Sequence, residues 1–219
     1  MRAWIFILGI LMLAGCDLRS SYDGLSGASS RVLAPSEVRE YSGEKLGSVS
    51  DFRENSIKGP QYVNMSDYKL EIVGLVDDER SYTYDEVIGF DIYSKIVTLY
   101  CVEGWDVKIW WEGILVRDLI GDVVEGANTA IFYAYDGYST SLPLDYIMDN
   151  NILLAYKMNN VTLPPERGFP FQLVAEDRWG YKWIKWVTKI EISDNPNYEG
   201  YWEKRGYNQD GSLDGPKFG

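Results

Sequence analysis

Two cysteines, Cys16 and Cys101, stand in a chain of 219 residues that contains no histidine. Without histidine there is no Ser-His-Asp triad, no Cys-His dyad and no imidazole ligand for zinc or haem. A thiolate is a soft ligand for soft metals. A single protein thiolate does not hold a metal alone, and no second Cys lies near Cys101. Any metal there must arrive inside a cofactor that brings its own ligands. The plainer reading of Cys101 is a buried thiol acting as a small hydrophobe. Against it, Cys101 ends an apolar run, Ile96–Cys101, and precedes the turn Val102-Glu103-Gly104-Trp105, where a side chain can face a cleft. Oxidising compartments also select against idle thiols.

Cys16 has a different setting. Arg2 is followed by the apolar run of residues 4–13 and by Ala14-Gly15-Cys16. A positive start, a short apolar run and small residues before a cut site describe a signal peptide over 1–15. The run is about half of the ~20 residues that span a bilayer. Leu13-Ala14-Gly15-Cys16 resembles the bacterial lipobox, which implies lipidation of Cys16 and anchoring of an exported protein to the extracytoplasmic or periplasmic side of the cell membrane. The other reading is an ordinary signal peptide that contains a Cys. With Cys16 committed to lipid, Cys101 has no disulfide partner.

The elements that must position Cys101 are mostly strands. Residues 17–50 hold nine Ser and four Gly, so 16–51 reads as a flexible tether and the domain proper as 52–193, with a tail over 194–219 packing on it. Strands are expected around 68–74, at 96–101, at 107–111 before a turn at Glu112-Gly113, at 130–135, at 171–174 and over 183–192. Asn159-Asn160 joins a hairpin of 152–158 and 161–163. Short helices are expected at 84–90, opened by a Thr83-x-x-Glu86 capping box, at 115–120 and at 143–149. The class is α+β and strand-rich. A formal net charge of −12 argues against a nucleic-acid partner.

Around these elements the chain resembles the molybdopterin-binding domain of the sulfite oxidase superfamily. The resemblance runs through Cys101-Val102-Glu103-Gly104-Trp105, Trp111-Glu112-Gly113, Ser141-Leu142-Pro143-Leu144, the stretch from Leu153 to Asn159, Leu163-Pro164-Pro165 with Gly168 and Pro170, and Trp179-Gly180-Tyr181-Lys182 leading to Lys185-Trp186. It spans roughly 52–207 and is nearest to the bacterial periplasmic methionine-sulfoxide-reductase branch. The resemblance implies a molybdenum-molybdopterin cofactor with Cys101 as its protein ligand. It also implies oxygen-atom transfer and electron exchange with a separate membrane haem protein or cytochrome. It carries cofactor contacts onto Gly180, Tyr181, Lys182 and Lys185, onto Arg167 where the family places a His or Asn, and onto Asn55. Tyr207 resembles an active-site Tyr of sulfite oxidases. The alternative for Lys182 and Lys185 is a solvated strand face, and for Tyr207 a packed tail aromatic.

Three features depart from the family. No Arg stands near Gln172, Glu103 and Trp105 follow the Cys where sulfite oxidases carry an anion-holding Arg, and the signal has one Arg rather than a twin-arginine pair. An acidic, aromatic mouth suits a neutral or cationic substrate better than sulfite. Two other function classes compete with the enzyme. One is a non-catalytic lipoprotein module that retains the fold. The other is a glycan- or envelope-binding lipoprotein built on Trp105, Trp110, Trp111, Trp179, Trp183 and Trp186, although strand aromatics are more often core.

Overall fold

The computed structural model describes residues 35–219. The expected signal peptide 1–15 and the lipidation site Cys16 lie outside the described residues. Short elements come first: β1 (Glu40–Tyr41), β2 (Glu44–Lys45), β3 (Leu70–Gly74), β4 (Arg80–Tyr82) and α1 (Tyr84–Val87). The longest hairpin follows, β5 (Tyr93–Tyr100) and β6 (Asp106–Leu115), then α2 (Val116–Ile120), β7 (Thr129–Ala134), β8 (Ser139–Pro143) and α3 (Leu144–Asp149). The chain ends its regular structure with β9 (Leu153–Met158), β10 (Val161–Thr162), β11 (Gln172–Val174) and β12 (Val187–Ser193).

Two five-stranded sheets result. One runs β10-β9-β6-β5, with β11 also on β9, and is antiparallel throughout. The other runs β4-β3-β12-β7-β8 and is mixed, because β12 lies parallel to β3. Alternation in the sequence sets the faces. In β6, Val107, Ile109 and Trp111 are buried and alternate with Asp106, Lys108 and Trp110. Ile109 and Trp111 join Ile72, Phe132, Phe171 and Ile190 in one apolar core drawn from both sheets. Buried Trp111 donates its indole N–H to the Val97 carbonyl at 3.2 Å, so its polar atom is satisfied. The capping box at α1 is present in both directions.

Three expectations about local structure are corrected. Glu112-Gly113 is no turn; it lies inside β6 where the register against β9 shifts. A Cβ on Gly113 would sit 2.3 Å from the Leu154 carbonyl oxygen, so this Gly serves close strand approach. The strand expected from 183 begins at Val187. Trp186 has a φ of 53° and the ladder is irregular between Val187 and Lys189, so Val187 and Ile190 are both buried although three apart. The strands β1, β2, β4 and β8 are additional to the expected set.

The tether expected to run through residue 51 is structured from Glu37 onward. The Glu37 carboxylate accepts from the Val49 amide at 2.7 Å, the Ser48 hydroxyl at 3.0 Å and the Asn159 amide at 3.1 Å. Tyr41 stacks on Trp110 with ring centroids 4.0 Å apart. Here Ser48 caps a 3-10 turn over Val49–Asp51, and Gly43 has a φ of 80° between β1 and β2. The Ser and Gly content of this stretch supplies caps and turns as well as flexibility.

Candidate active site

Cys101 follows β5 directly. Its amide donates to the Trp105 carbonyl at 2.9 Å, and its own carbonyl accepts from Gly104 at 3.0 Å. The three-residue loop 102–104 therefore closes the β5–β6 hairpin, with Gly104 at φ 87° in the left-handed position such loops require. Tyr100 also bridges in parallel to Trp179, which brings the 180–182 turn against the thiol loop. A Cβ on Gly180 would stand 3.3 Å from the Tyr100 carbonyl oxygen and 3.5 Å from the Cys101 Cα. Gly180 thus lets the two segments approach.

The thiol lies in the wall of a cleft of about 410 Å³. Cleft volumes of this order take organic cofactors. Asn55, Gly180, Tyr181, Lys185 and Tyr207 also line it, so six of the expected site residues, Cys101 included, come together. Asn55 points its side-chain amide at the sulfur from 3.8 Å, and the Glu103 carboxylate lies 3.9 Å from it. Glu103 also accepts from the Trp105 indole at 3.0 Å. Burial pushes the Cys101 thiol above its ordinary value; the Glu103 amide, Arg53 and Lys217 pull it down, while the Glu103 carboxylate pushes it further up. Cys101 is 4% exposed and resting thiol chemistry is suppressed.

Tyr207 packs among Tyr181, Trp202 and Phe218, with ring centroids 5.0–5.2 Å away. The rings of Tyr138, Tyr181, Tyr201, Trp202 and Tyr207 make one wall of the cleft aromatic. Tyr138, Tyr201 and Trp202 were absent from the sequence-based set, although the run Tyr201-Trp202 beside Tyr207 carried the signal. Glu103 and Asp136 are the acids on the lining, and Lys185 is its one cation among the described residues.

Two expected cofactor donors are placed elsewhere. Lys182 is fully buried, and its ammonium is held by the Glu203 carboxylate at 2.6 Å and the Ser141 carbonyl at 3.0 Å. Those partners leave it off the cleft lining. Arg167 borders a separate shallow depression with Glu37 and Phe52. Its guanidinium lies 5.1 Å over the Phe52 ring and 3.4 Å from Glu54. Glu54 also receives Lys185, at 3.0 and 3.2 Å. Burial lowers the pKa of both cations, against the pull of Glu54.

The donor set bears on the metal question. No group of three His, Cys, Asp or Glu side chains among the described residues is arranged to hold an ion. One thiol with an amide beside it suits a metal delivered by an organic cofactor that brings its own ligands, and Lys185 is the cleft's point of positive charge against the acids Glu103 and Asp136.

A family model described as "Oxidoreductase molybdopterin binding domain" matches residues 57–202. The chain belongs to this family. It is thereby an oxidoreductase of the sulfite oxidase superfamily, and its strand-rich α+β fold is the one that superfamily uses. It is 34% identical over 155 residues to "Uncharacterized oxidoreductase YuiH" of Bacillus subtilis, covering 69% of this chain and 78% of that protein. It is 30% identical over 149 residues to "Putative protein-methionine-sulfoxide reductase subunit YedZ1" of Azospira oryzae, covering 67% of this chain but only 56% of the relative. Among solved structures, the sulfane dehydrogenase SoxCD from Paracoccus pantotrophus superposes with a TM-score of 0.61. That match has 20% identity and covers 68% of this chain and 42% of the other, so it speaks for the fold. Most of the cleft's lining, Cys101 and Lys185 included, falls within the matched residues 57–202.

Proposed function

We propose that the chain transfers oxygen atoms at a mononuclear molybdenum held by Cys101. We also propose that it works on the extracytoplasmic face, anchored through Cys16. The observation that carries the reading is the Cys101 thiol, buried in a cleft wall with no other metal-ligating cluster among the described residues. Support comes from the family, and from a relative whose name includes protein-methionine-sulfoxide reductase.

The molybdenum-molybdopterin group, when bound, supplies a centre that exchanges two electrons and an oxygen atom with substrate. The protein's own residues do the rest. Cys101 gives up its proton and supplies the thiolate ligand. The Asn55 amide, 3.8 Å from the sulfur, orients it. Gly180 and Tyr181 bring backbone against the thiol loop, and Lys185 provides positive charge for the pterin phosphate. The aromatic wall with Tyr207 excludes water and receives the apolar part of a substrate. Glu103 and Asp136 repel anions, which favours a neutral or cationic substrate over sulfite. Electrons pass to or from a separate partner, a membrane haem protein or a cytochrome.

Elemental analysis of the protein purified from its own host tests this. We expect about one molybdenum per chain, held through the single thiolate, and its loss in Cys101→Ser. Metal-free native protein would return the chain to the non-catalytic module. A mature N-terminus without lipid, seen by mass, removes the anchor.

A further inference from the structure

The cation on the cleft lining is already engaged. The Lys185 ammonium has three N–H donors. It faces the two Glu54 oxygens at 3.2 and 3.0 Å and the Glu166 carbonyl at 3.3 Å. Arg167 reaches the same Glu54 carboxylate at 3.4 Å. The side chains of Lys185 and Arg167 are 13% and 9% exposed, against 28% for Glu54. One carboxylate thus neutralises two largely buried cations. A phosphate entering the cleft can hydrogen-bond Lys185 only where Glu54 gives way.

Glu54 is the most exposed member of the three, and it sits on an irregular segment, Phe52–Ser56, outside both sheets. The same segment carries Asn55, whose amide points at the Cys101 sulfur. Ser56 tethers Glu54 from its own segment, through its amide at 2.8 Å and its hydroxyl. Moving Glu54 therefore moves its neighbours, so Lys185 and Cys101 are linked through two adjacent residues, Glu54 and Asn55.

We propose that Glu54 is an internal competitor for the cofactor's phosphate, and that its displacement from Lys185 and Arg167 couples loading of the cleft to the placement of Asn55 at Cys101. This rests on the molybdopterin reading for the identity of the ligand, while the competition itself is a property of Glu54, Lys185 and Arg167. Glu54 is a positioning residue in this scheme. Removing its charge weakens the protein without ligand, because two buried cations lose their counter-charge, and strengthens binding of an anion.

The test uses the full chain made in a host that cannot synthesise molybdopterin, compared with the chain from a host that can. In the cofactor-free protein, Glu54→Gln lowers the melting temperature, and inorganic phosphate raises it by more than in the unaltered protein. In the loaded protein the same variant keeps its cofactor longer during dialysis, by about tenfold if one charge-assisted bond is the competitor. Glu54→Ala changes all three readings in the same direction and guards against a packing defect peculiar to Gln. Faster loss of cofactor in both variants, or no gain in phosphate stabilisation, overturns the competition. If the unaltered protein takes up no molybdopterin at all, the functional reading fails, and the phosphate melts alone still decide the role of Glu54.

Discussion

Lys182 and Lys185 stand three residues apart in one segment, Tyr181-Lys182-Trp183-Ile184-Lys185-Trp186, yet their surroundings are opposite. Lys182 is sealed behind the cleft wall, its ammonium on Glu203, with the Thr140 hydroxyl donating to the same carboxylate oxygen at 2.6 Å. Lys185 lines the cleft and shares Glu54 with Arg167. The first cation fastens the C-terminal segment that carries Tyr201, Trp202 and Tyr207. The second faces the space a ligand enters. The difference shows that a charge in this loop takes its role from the side of the chain it occupies. The 3-10 turn at Gly180–Lys182 and the left-handed Trp186 set those sides.

The largest break in this contrast comes from Lys182. Lys182→Ala leaves Glu203 buried without its counter-cation, held only by the Thr140 hydroxyl, and one Glu203 oxygen already has no hydrogen-bond partner. Loss of one member of a buried pair typically costs about 3–5 kcal/mol. We expect a loss of that size in denaturant unfolding, with recovery of part of it in the double variant Lys182→Met, Glu203→Gln. If Lys182→Ala instead unfolds like the unaltered protein but sheds its cofactor, Lys182 belongs to the site and the contrast collapses.

Lys185→Gln should do the reverse. Its partner Glu54 is partly exposed, so the expected loss is about 1–2 kcal/mol, in the range of one charge-assisted hydrogen bond. Cofactor content, measured as molybdenum per chain, should fall far more than stability does. Equal falls in the two measurements would make Lys185 a second structural lysine.

Much of this molecule is written in its local sequence. The capping box at Thr83 and Glu86, the alternation in β6 and the paired asparagines at φ 48° and 67° between β9 and β10 all act over a few residues, and each is where the pattern puts it. Cys101 is legible for the same reason, since an apolar strand followed by a Gly-containing loop places it at a hairpin end. What was not legible depends on distant partners. Glu203 lies 21 residues from Lys182 and decides its role, while Glu54 lies 131 residues from Lys185. Gly113 reads as a turn residue in sequence because its reason for being Gly is the Leu154 carbonyl on another strand. Ser- and Gly-rich composition likewise does not distinguish a tether from the capped, hydrogen-bonded segment that Glu37 holds in place.

The smallest effect concerns the thiol in the cleft wall. Burial raises the Cys101 pKa in the folded chain, and Glu103 adds to it. In cofactor-free protein, alkylation of Cys101 should therefore gain speed with a midpoint above the ~8.5 of an ordinary thiol, while the denatured chain shows the ordinary midpoint. The sign for stability follows from the same shift. Below the unfolded midpoint both states carry the proton and the thiol contributes no slope. Between the two midpoints the unfolded chain has released its proton and the folded chain has not, so stability falls as pH rises through that window. Cys101→Ser should remove this part of the alkaline slope, and Glu103→Gln should lower the folded midpoint and reduce it. Lys217, whose ammonium donates to the Val102 carbonyl at 3.3 Å, acts oppositely, so Lys217→Met should raise the midpoint. A folded thiol that alkylates with the denatured midpoint would mean that the cleft wall does not desolvate Cys101. The charge on Lys185 would then have to hold the cofactor without help from a dry ligand site.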